Sequence, residues 1–183
     1  MQKNSEDEKF SEKRLGGREI YKSRMLKYDI DEVLLPNGRK ALREVIRHPG
    51  AAAVTAVLPD GKIVLVRQYR YPVGRVLYEL PAGKLNAGED PLACARRELA
   101  EETGFTAEQW RKLSSIVTAP GFCDEVIHIY RADGLSAGRP RTDEDEFVET
   151  VCLTPQEIGN LIRNGGICDA KTLAGLFLCE ILK

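Results

Sequence analysis

Histidine is scarce in this chain, and its cysteines occur in a number and spacing that match no common metal or disulfide motif. The only histidines are His48 and His128, and the five cysteines include no Cys-x-x-Cys pair. An odd set of isolated cysteines is typical of reduced thiols that pack as small hydrophobic side chains. We therefore expect neither a zinc site nor a disulfide framework. We expect structural roles for both histidines and a cytoplasmic location.

Long apolar runs and a large net charge are absent as well. No segment approaches the ~20 apolar residues of a membrane-spanning helix, and the polar, acid-containing N-terminus is unlike a signal or transit peptide. Lysine and arginine number 27 against 28 aspartates and glutamates, which leaves a net charge of -1. With no basic stripe and no helix-turn-helix pattern, the sequence predicts neither a membrane nor a nucleic-acid partner.

What the chain does contain is a series of short strand patterns interrupted by three helical ones. Residues 1–14 are polar and are predicted to be flexible. Residues 15–49 alternate apolar and polar side chains around a Pro-Asn-Gly turn, which predicts two or three antiparallel strands. In residues 50–183 strands and helices do not alternate strictly, so we expect an α+β domain and not a doubly wound parallel sheet.

The ends of the helices can be predicted from capping residues. Pro91 suits the first turn of a helix that runs to about Thr103 and ends at Gly104. Thr154 and Asp169 suit the N-caps of two shorter helices near the C-terminus. The last of these, in the sequence DAKTLAGLFL, is amphipathic, and the sequence assigns no chemistry to it.

Acidic residues gather on one side of the first predicted helix. At about 100° per residue the core-facing stripe consists of Leu92, Ala95, Leu99 and Thr103. Glu98 and Glu102 share a second face, with Glu101 beside them. Like charges at this spacing destabilise an isolated helix by a few tenths of a kcal/mol, so the cluster favours a compensating cation. Carboxylate oxygens suit Mg²⁺ or Mn²⁺, although a solvated acidic face is the alternative for the run taken alone.

The residues around this helix favour the metal. The preceding loop is glycine-rich, with Gly83 and Gly88, so backbone carbonyls can also face an ion. Arg97 lies beside the acids and can orient one of them through its planar fork. Glu89, at the end of the loop, is positioned to pair with Arg97 and to lock the loop to the helix.

The spacing of these residues resembles a complete Nudix box. Gly83 is followed after five residues by Glu89, and after seven more by the run from Arg97 to Phe105, with apolar residues at its two hydrophobic positions. The resemblance implies a Nudix fold, an α/β/α sandwich with a mixed β-sheet between helices, preceded by a small N-terminal antiparallel sheet. It also implies hydrolysis of a nucleoside diphosphate linked to another group.

The resemblance assigns roles within the box. Four metal ligands are implied: the side chains of Glu98 and Glu102, Glu101 as a further or water-mediated ligand, and the carbonyl of Ala82. Mainly structural roles are implied for four residues: Glu89, Arg97, and the glycines Gly83 and Gly104, which would permit backbone turns. The implied ion is Mg²⁺, with Mn²⁺ as the second choice.

Beyond the box, the chain resembles the ADP-ribose pyrophosphatase branch of the family. Pro120 lies 16 residues after Gly104, where that branch has a loop proline, although a plain Pro-Gly turn is the alternative. In this branch the acid that matches Glu125 would contact the terminal ribose. The resemblance therefore implies Mg-dependent hydrolysis of ADP-ribose to AMP and ribose 5-phosphate.

A second acidic run, TDEDE, lies between the last two strand patterns. Its alternative interpretation is a solvated acidic turn. In the ADP-ribose branch a mobile loop at this point supplies a glutamate that activates water or completes the metal site. Glu146 is the first choice for this catalytic group and Glu144 the second, and Glu101 is a further candidate; the sequence does not separate them.

Substrate phosphates would be held by arginines, whose forks suit phosphate oxygens. The resemblance matches Arg70, after the strand pattern IVLV, and Arg43 to such contacts, with ordinary surface arginines as the alternative. Tyr21 and Tyr28 lie where relatives have adenine-stacking aromatics, but we favour core positions for both.

Two other functions remain open. The substrate could be another nucleotide sugar, such as GDP-mannose; a dinucleoside polyphosphate is less favoured because no tyrosine occurs between Gly104 and Ile129. The chain could also be a nucleotide sensor without activity, although a sensor need not keep the three box glutamates together. By analogy of fold, residues 15–49 form a homodimer contact in which each chain helps to build its partner's site.

Overall fold

The computed structural model describes residues 7–141 and 147–181 of the chain. Within these ranges there are ten strands: β1 Lys13–Lys22, β2 Lys27–Leu34, β3 Lys40–Arg47, β4 Ala51–Val57, β5 Ile63–Arg70, β6 Arg75–Glu79, β7 Ala82–Lys84, β8 Thr106–Val117, β9 Val126–Ser136 and β10 Val148–Leu153. The helices are α1 Pro91–Thr103, α2 Pro155–Arg163 and α3 Ala170–Leu178, and short 3-10 turns cover Asp7–Phe10 and Tyr71–Val73.

The chain divides into two compact units. The first takes the residues up to His48 together with Ala119–Glu125, and the second takes Pro49–Thr118 and the residues from Val126 onward. The sequence pattern alone does not assign residues 119–125 to the first unit, because this assignment depends on contacts between residues far apart in the chain. The backbone N–H of Ile46, for example, donates to the carbonyl of Phe122 at 2.7 Å.

A three-stranded antiparallel sheet in the order β1-β2-β3 forms the first unit and confirms the predicted strands. The predicted turn joins β2 to β3, and Gly38 has a positive φ there that a residue with a Cβ adopts less readily. β1 begins at Lys13, inside the segment that the sequence predicts to be flexible. Its pairing with β2, and an ion pair of 2.9 Å between Arg14 Nε and Asp31 Oδ1, account for this order.

The second unit is built on a seven-stranded mixed sheet. Five strands follow the order β10-β5-β4-β9-β8, with β6 paired to β5 and β7 paired to β4. β4 and β9 are parallel, and the other pairs are antiparallel. β4 and the first half of β5 are buried almost throughout, which explains their continuous apolar sequences AAAVTAV and IVLV.

Helices cover both faces of this sheet. On one face, Cys94, Ala95 and Leu99 of α1 pack on alternate residues of β4. On the other, residues of α2 and α3 pack on β5, and α3 also packs on the remaining residues of β4. Each fully buried aliphatic side chain contributes roughly 1.5–3 kcal/mol to this packing. The predicted α/β/α arrangement with a small N-terminal antiparallel sheet is therefore confirmed.

The capping predictions are confirmed for all three helices. Pro91 begins α1, and Gly104 closes it in the left-handed conformation, as predicted. The Asp90 side chain, which was not predicted as a cap, accepts hydrogen bonds from the backbone N–H groups of Leu92 and Ala93. Thr154 and Glu157 form a capping box on α2, and the Asp169 side chain caps α3. Among the described residues, every helix is too short or too polar to cross a membrane.

Candidate active site

The site begins with the close approach of Gly83 to Glu98. Gly83 lies in β7, and a Cβ at this position would overlap the Glu98 carboxylate. We predicted that Gly83 permits a backbone turn, and this is wrong, because the residue is in a strand and has no positive φ. Its lack of a side chain instead makes room for the carboxylate against the main chain of β7.

Arg97 connects three acids of the box. Its Nε and Nη2 donate to the two oxygens of Glu89 at 3.0 and 3.1 Å, which confirms the predicted pair. Its Nη1 donates to Glu98 Oε1 at 2.6 Å and to Glu101 Oε2 at 3.0 Å. Hydrogen bonds from Arg97 and from the Asn86 backbone lower the pKa of Glu89, and the bonds to Glu89 raise the pKa of Arg97 despite its partial burial.

Glu102 ties the helix to the same strand. One of its carboxylate oxygens accepts the backbone N–H of Ala82 at 3.0 Å, and the residue is only 5% exposed. The carboxylates of Glu98 and Glu102 therefore both lie against β7. Glu98 fits there because Gly83 has no Cβ, and Glu102 is bonded to the Ala82 amide. Rigid elements of this kind position ligating groups more accurately than loops do.

The donor set fits a divalent ion. Three carboxylates lie within five residues of one helix, and their oxygens are the ligands that hard cations prefer. Over residues 7–141 and 147–181, however, no three Asp, Glu, His or Cys side chains already converge on one metal position. Glu98 and Glu101 each accept a hydrogen bond from Arg97, and Glu102 accepts one from the backbone of Ala82. Part of the cationic compensation that the sequence argument assigns to a metal is thus supplied by Arg97.

The last turn of α1 also anchors the chain on either side of the acidic run. The Arg141 backbone N–H donates to the Glu101 carbonyl at 2.8 Å, and the Thr150 hydroxyl donates to the Glu102 carbonyl at 3.2 Å. Gly104 lies against residues 138–140, where a Cβ would meet their backbone. The two predicted catalytic residues of the acidic run, Glu144 and Glu146, lie outside the described residues.

Arg70 lies at the end of β5 and is turned toward an internal acid. Its Nε and Nη2 donate to the two oxygens of Glu79 at 2.7 and 2.9 Å. The Arg70 side chain is 40% exposed, so it presents surface to solvent while one edge of the guanidinium is fixed. The hydrogen bonds to Glu79 raise the pKa of Arg70. Its contact with substrate phosphate stays a prediction.

The remaining predicted residues belong to the first unit. Arg43 pairs with Glu12 through bonds of 2.9 and 2.5 Å, and Glu125 Oε1 lies 3.4 Å from His48 Nδ1. Their substrate roles also stay predictions. Tyr21 is 62% exposed, so its assignment to the core is wrong.

Two groups near the box were missed by the sequence argument. Cys94 is buried beneath β7, with its thiol within 3.6 Å of the Gly83 carbonyl and 3.5 Å of the Lys84 carbonyl. Burial raises the pKa of this thiol to about 12, so it stays protonated and acts as a donor. The second group is the buried carboxylate of Glu79 with Lys171 of α3. A charged residue at the end of an apolar strand was the available signal for Glu79.

The sequence is similar to those of known proteins. Residues 46–176 match the family model described as NUDIX domain. The chain is 48% identical over 179 residues to the methanol dehydrogenase activator of Bacillus methanolicus, covering 95% of this chain and 97% of that protein. It is 42% identical over 163 residues to the ADP-ribose pyrophosphatase of Bacillus subtilis (strain 168), covering 88% of each.

A solved structure agrees in fold. The crystal structure of an ADP compounds hydrolase superposes with a TM-score of 0.81, covering 93% of this chain and 92% of the other. The sequence identity of 24% restricts this likeness to the fold.

Proposed function

Because the chain belongs to the NUDIX family of hydrolases, we propose that it hydrolyses the pyrophosphate of ADP-ribose to AMP and ribose 5-phosphate. Enzymes of this family generally use divalent metal ions. We propose Mg²⁺ as the ion, with Mn²⁺ as the second choice, since both suit carboxylate oxygens. The relative named ADP-ribose pyrophosphatase supports the substrate, as does the offset of Pro120 from the box.

The observation that carries the proposal is the arrangement of box carboxylates on α1 against β7. Glu98 lies over Gly83, Glu102 is bonded to Ala82, and Arg97 holds Glu98 and Glu101. This arrangement concentrates negative charge on a rigid scaffold beside the main chain of β7 at Gly83, which has no side chain. Such an array has little use in a solvated surface helix, but it suits a centre that must hold a cation next to a phosphate anhydride.

The proposed reaction assigns roles to the box residues, to the carbonyl before the box and to the acidic run. The carboxylates of Glu98, Glu101 and Glu102 and the Ala82 carbonyl would hold the ion. When bound, a divalent ion neutralises the negative charge of the pyrophosphate and polarises its P–O bonds. Arg97 keeps the glutamates in place, and Glu89 holds Arg97 to the loop. Glu146, or Glu144 as second choice, would accept the proton of the attacking water, with Glu101 as a further candidate.

Substrate recognition is assigned to two arginines and one acid. Arg70 and Arg43 would contact phosphate oxygens through the donors of their guanidinium groups, and Glu125 would accept a hydrogen bond from the terminal ribose. The exposed surface of the Arg70 side chain and its fixed orientation on Glu79 support its part in this proposal.

The substitution Glu102→Gln tests whether the box performs the chemistry. Glutamine has nearly the same shape and its amide oxygen can still accept the Ala82 N–H, so the fold should survive. Loss of the carboxylate charge should lower turnover by at least ~10²-fold. Steady-state kinetics with Mg²⁺ would be compared with circular dichroism and thermal unfolding of the same sample.

Glu108→Gln is the matched control, because Glu108 is an exposed acid of β8 that lies outside both the box and the proposed dimer contact. It should keep wild-type turnover. Full activity of the Glu102→Gln variant, with a normal Glu108→Gln control, would show that the metal ligands are misassigned.

The proposal extends to assembly and location. We propose a homodimer that uses the three-stranded sheet of residues 15–49, because this sheet exposes large apolar side chains: Leu15, Ile20, Tyr21 and Leu42. A cytoplasmic location suits the five free cysteines.

Light scattering after gel filtration tests the dimer. The measured mass should be twice the chain mass, and Leu42→Asp should shift it toward the monomer. A monomeric wild-type protein would contradict the dimer.

A further inference from the structure

The C-terminal helix α3 places a buried lysine beside the candidate site. Lys171, in the first turn of α3, has a side chain that is only 12% exposed. Its ammonium group contacts the Glu79 carboxylate and lies 3.0 Å from Asp169 Oδ2. Lysine is rarely buried to this extent unless it is paired, because removing its charge from water is costly.

Glu79 is shared between this lysine and Arg70. The carboxylate is 2% exposed and accepts two hydrogen bonds from the Arg70 guanidinium as well as one from Lys171. Burial alone would raise the pKa of Glu79, but the bond to Arg70 and the charge of Lys171 outweigh it and lower the pKa. Glu79 is therefore an ionised carboxylate with two cationic partners from different parts of the chain.

The position of Lys171 is fixed by its neighbours. The Thr172 hydroxyl accepts the backbone N–H of Leu80 at 2.9 Å and donates to Asp169 Oδ2 at 2.6 Å. Gly175 brings α3 so close to the sheet that a Cβ would clash with the Leu80 side chain. Leu80 directly follows Glu79, so the helix and the carboxylate are held together at several points. Lys171 has little freedom to leave Glu79.

This arrangement affects Arg70 through charge. Arg70, Lys171, Glu79 and Asp169 form a balanced set of two cations and two anions. With Lys171 present, Arg70 has to neutralise only part of the Glu79 charge. Without it, Arg70 would be the remaining cation bonded to a buried carboxylate. Arg70 would then attract an external anion less strongly, because the nearby Glu79 would compensate more of its charge.

We propose that Lys171 is a positioning residue for phosphate recognition, which shares the Glu79 carboxylate with Arg70 and so leaves more of the Arg70 charge available to the pyrophosphate of the substrate. This inference rests on the proposed function, in which Arg70 contacts phosphate. It gives the C-terminal sequence DAKTLAGLFL a part in substrate binding, whereas an amphipathic helix alone needs only its packing face.

A double-mutant cycle tests the inference. The variants are Lys171→Met, Arg70→Met and the double variant, with KM and kcat measured for ADP-ribose in Mg²⁺. Calorimetric binding of ADP-ribose in EDTA gives an independent measure of affinity without turnover. Lys171→Met should raise KM and the dissociation constant by ~10-fold and change kcat by less than ~3-fold. In the Arg70→Met background the same change should alter KM by less than ~2-fold, since Lys171 acts through Arg70.

Two further variants separate this role from simple stabilisation. Lys171→Arg keeps a cation on Glu79 and should restore KM to within ~3-fold of wild type. Lys62→Met removes a surface lysine that pairs with Asp60, and it should leave KM and the dissociation constant unchanged. A lysine that only stabilises the fold would lower the melting temperature while leaving KM unchanged or giving effects that add to those of Arg70→Met.

The experiment distinguishes failure of this inference from failure of the proposed function. If the wild type cleaves ADP-ribose but Lys171→Met binds and cleaves it normally, or if the effects of Lys171 and Arg70 are additive, the inference is wrong and the proposed function stands. If the wild type neither cleaves nor binds ADP-ribose, both are overturned together.

Discussion

At the scale of single residues, contacts within the box were partly predictable from spacing. The pair between Glu89 and Arg97 follows from the sequence, because an acid at the end of a loop and an arginine on the adjoining helix have complementary charges within reach. The role of Gly83 did not follow. Its backbone conformation and the approach of Glu98 depend on how β7 packs against α1, and no local pattern specifies that distance.

The substitution Gly83→Ala tests the close approach. The added methyl group would overlap the Glu98 carboxylate and displace it from β7. A ligand displaced by about 1 Å can lower activity by ~10²-fold, so kcat/KM should fall by about this factor. Steady-state kinetics would be measured with circular dichroism as the check on folding.

Gly159→Ala is the matched control, because a Cβ added at Gly159 of α2 would meet only the Arg163 side chain, at an ordinary 3.5 Å, and its φ is not positive. This variant should retain wild-type kcat/KM. A folded Gly83→Ala protein with unchanged activity would show that the position of Glu98 against β7 is not needed for turnover.

At the scale of elements, helices were easier to predict than strands. All three helices begin at capping residues that can be read locally, and α1 ends at Gly104 as predicted. β7 was read as part of a glycine-rich loop, because three residues carry too little pattern and become a strand only by pairing with β4. For the same reason the start of β1 at Lys13 could not be placed without its partner β2.

Asp90→Ala tests the cap that starts the box helix. The Asp90 side chain accepts hydrogen bonds from two backbone N–H groups in the first turn of α1. Removing it should lower the free energy of unfolding by ~1 kcal/mol, as measured by urea denaturation. Asp90→Ser should recover most of this loss, since serine is also a good N-cap. Equal destabilisation by alanine and serine would show that capping is not the reason Asp90 matters.

At the scale of the whole molecule, the sequence predicted the fold through its box, but not the network that joins α3 to the end of β6. Glu79 and Lys171 are separated by 92 positions in the chain. Their contact requires the complete sheet with α3 packed on it. The acids of the box could be assigned before the structure was known, whereas the residues that support Arg70 could not.

The Glu79 network makes a prediction about pH and stability. Because the pKa of Glu79 is lowered in the folded state, its stabilising contribution is fully present above its ordinary value of 4.5 and is lost as pH falls below that value. Urea unfolding of the wild type and of Glu79→Gln would be followed from pH 7 to pH 3. The difference in unfolding free energy should be constant above about pH 5 and should shrink below 4.5. A difference that stays constant or widens in acid would contradict the assignment.

The most direct test of the central claim is product analysis of the purified protein with ADP-ribose and excess Mg²⁺, beside GDP-mannose, a dinucleoside polyphosphate and an EDTA control. We predict AMP and ribose 5-phosphate in equal amounts, with ADP-ribose the preferred substrate and no product in EDTA. Preferential cleavage of another member of the panel would keep the hydrolase chemistry but contradict the substrate. Binding without cleavage of any member would contradict the claim itself and favour a nucleotide sensor.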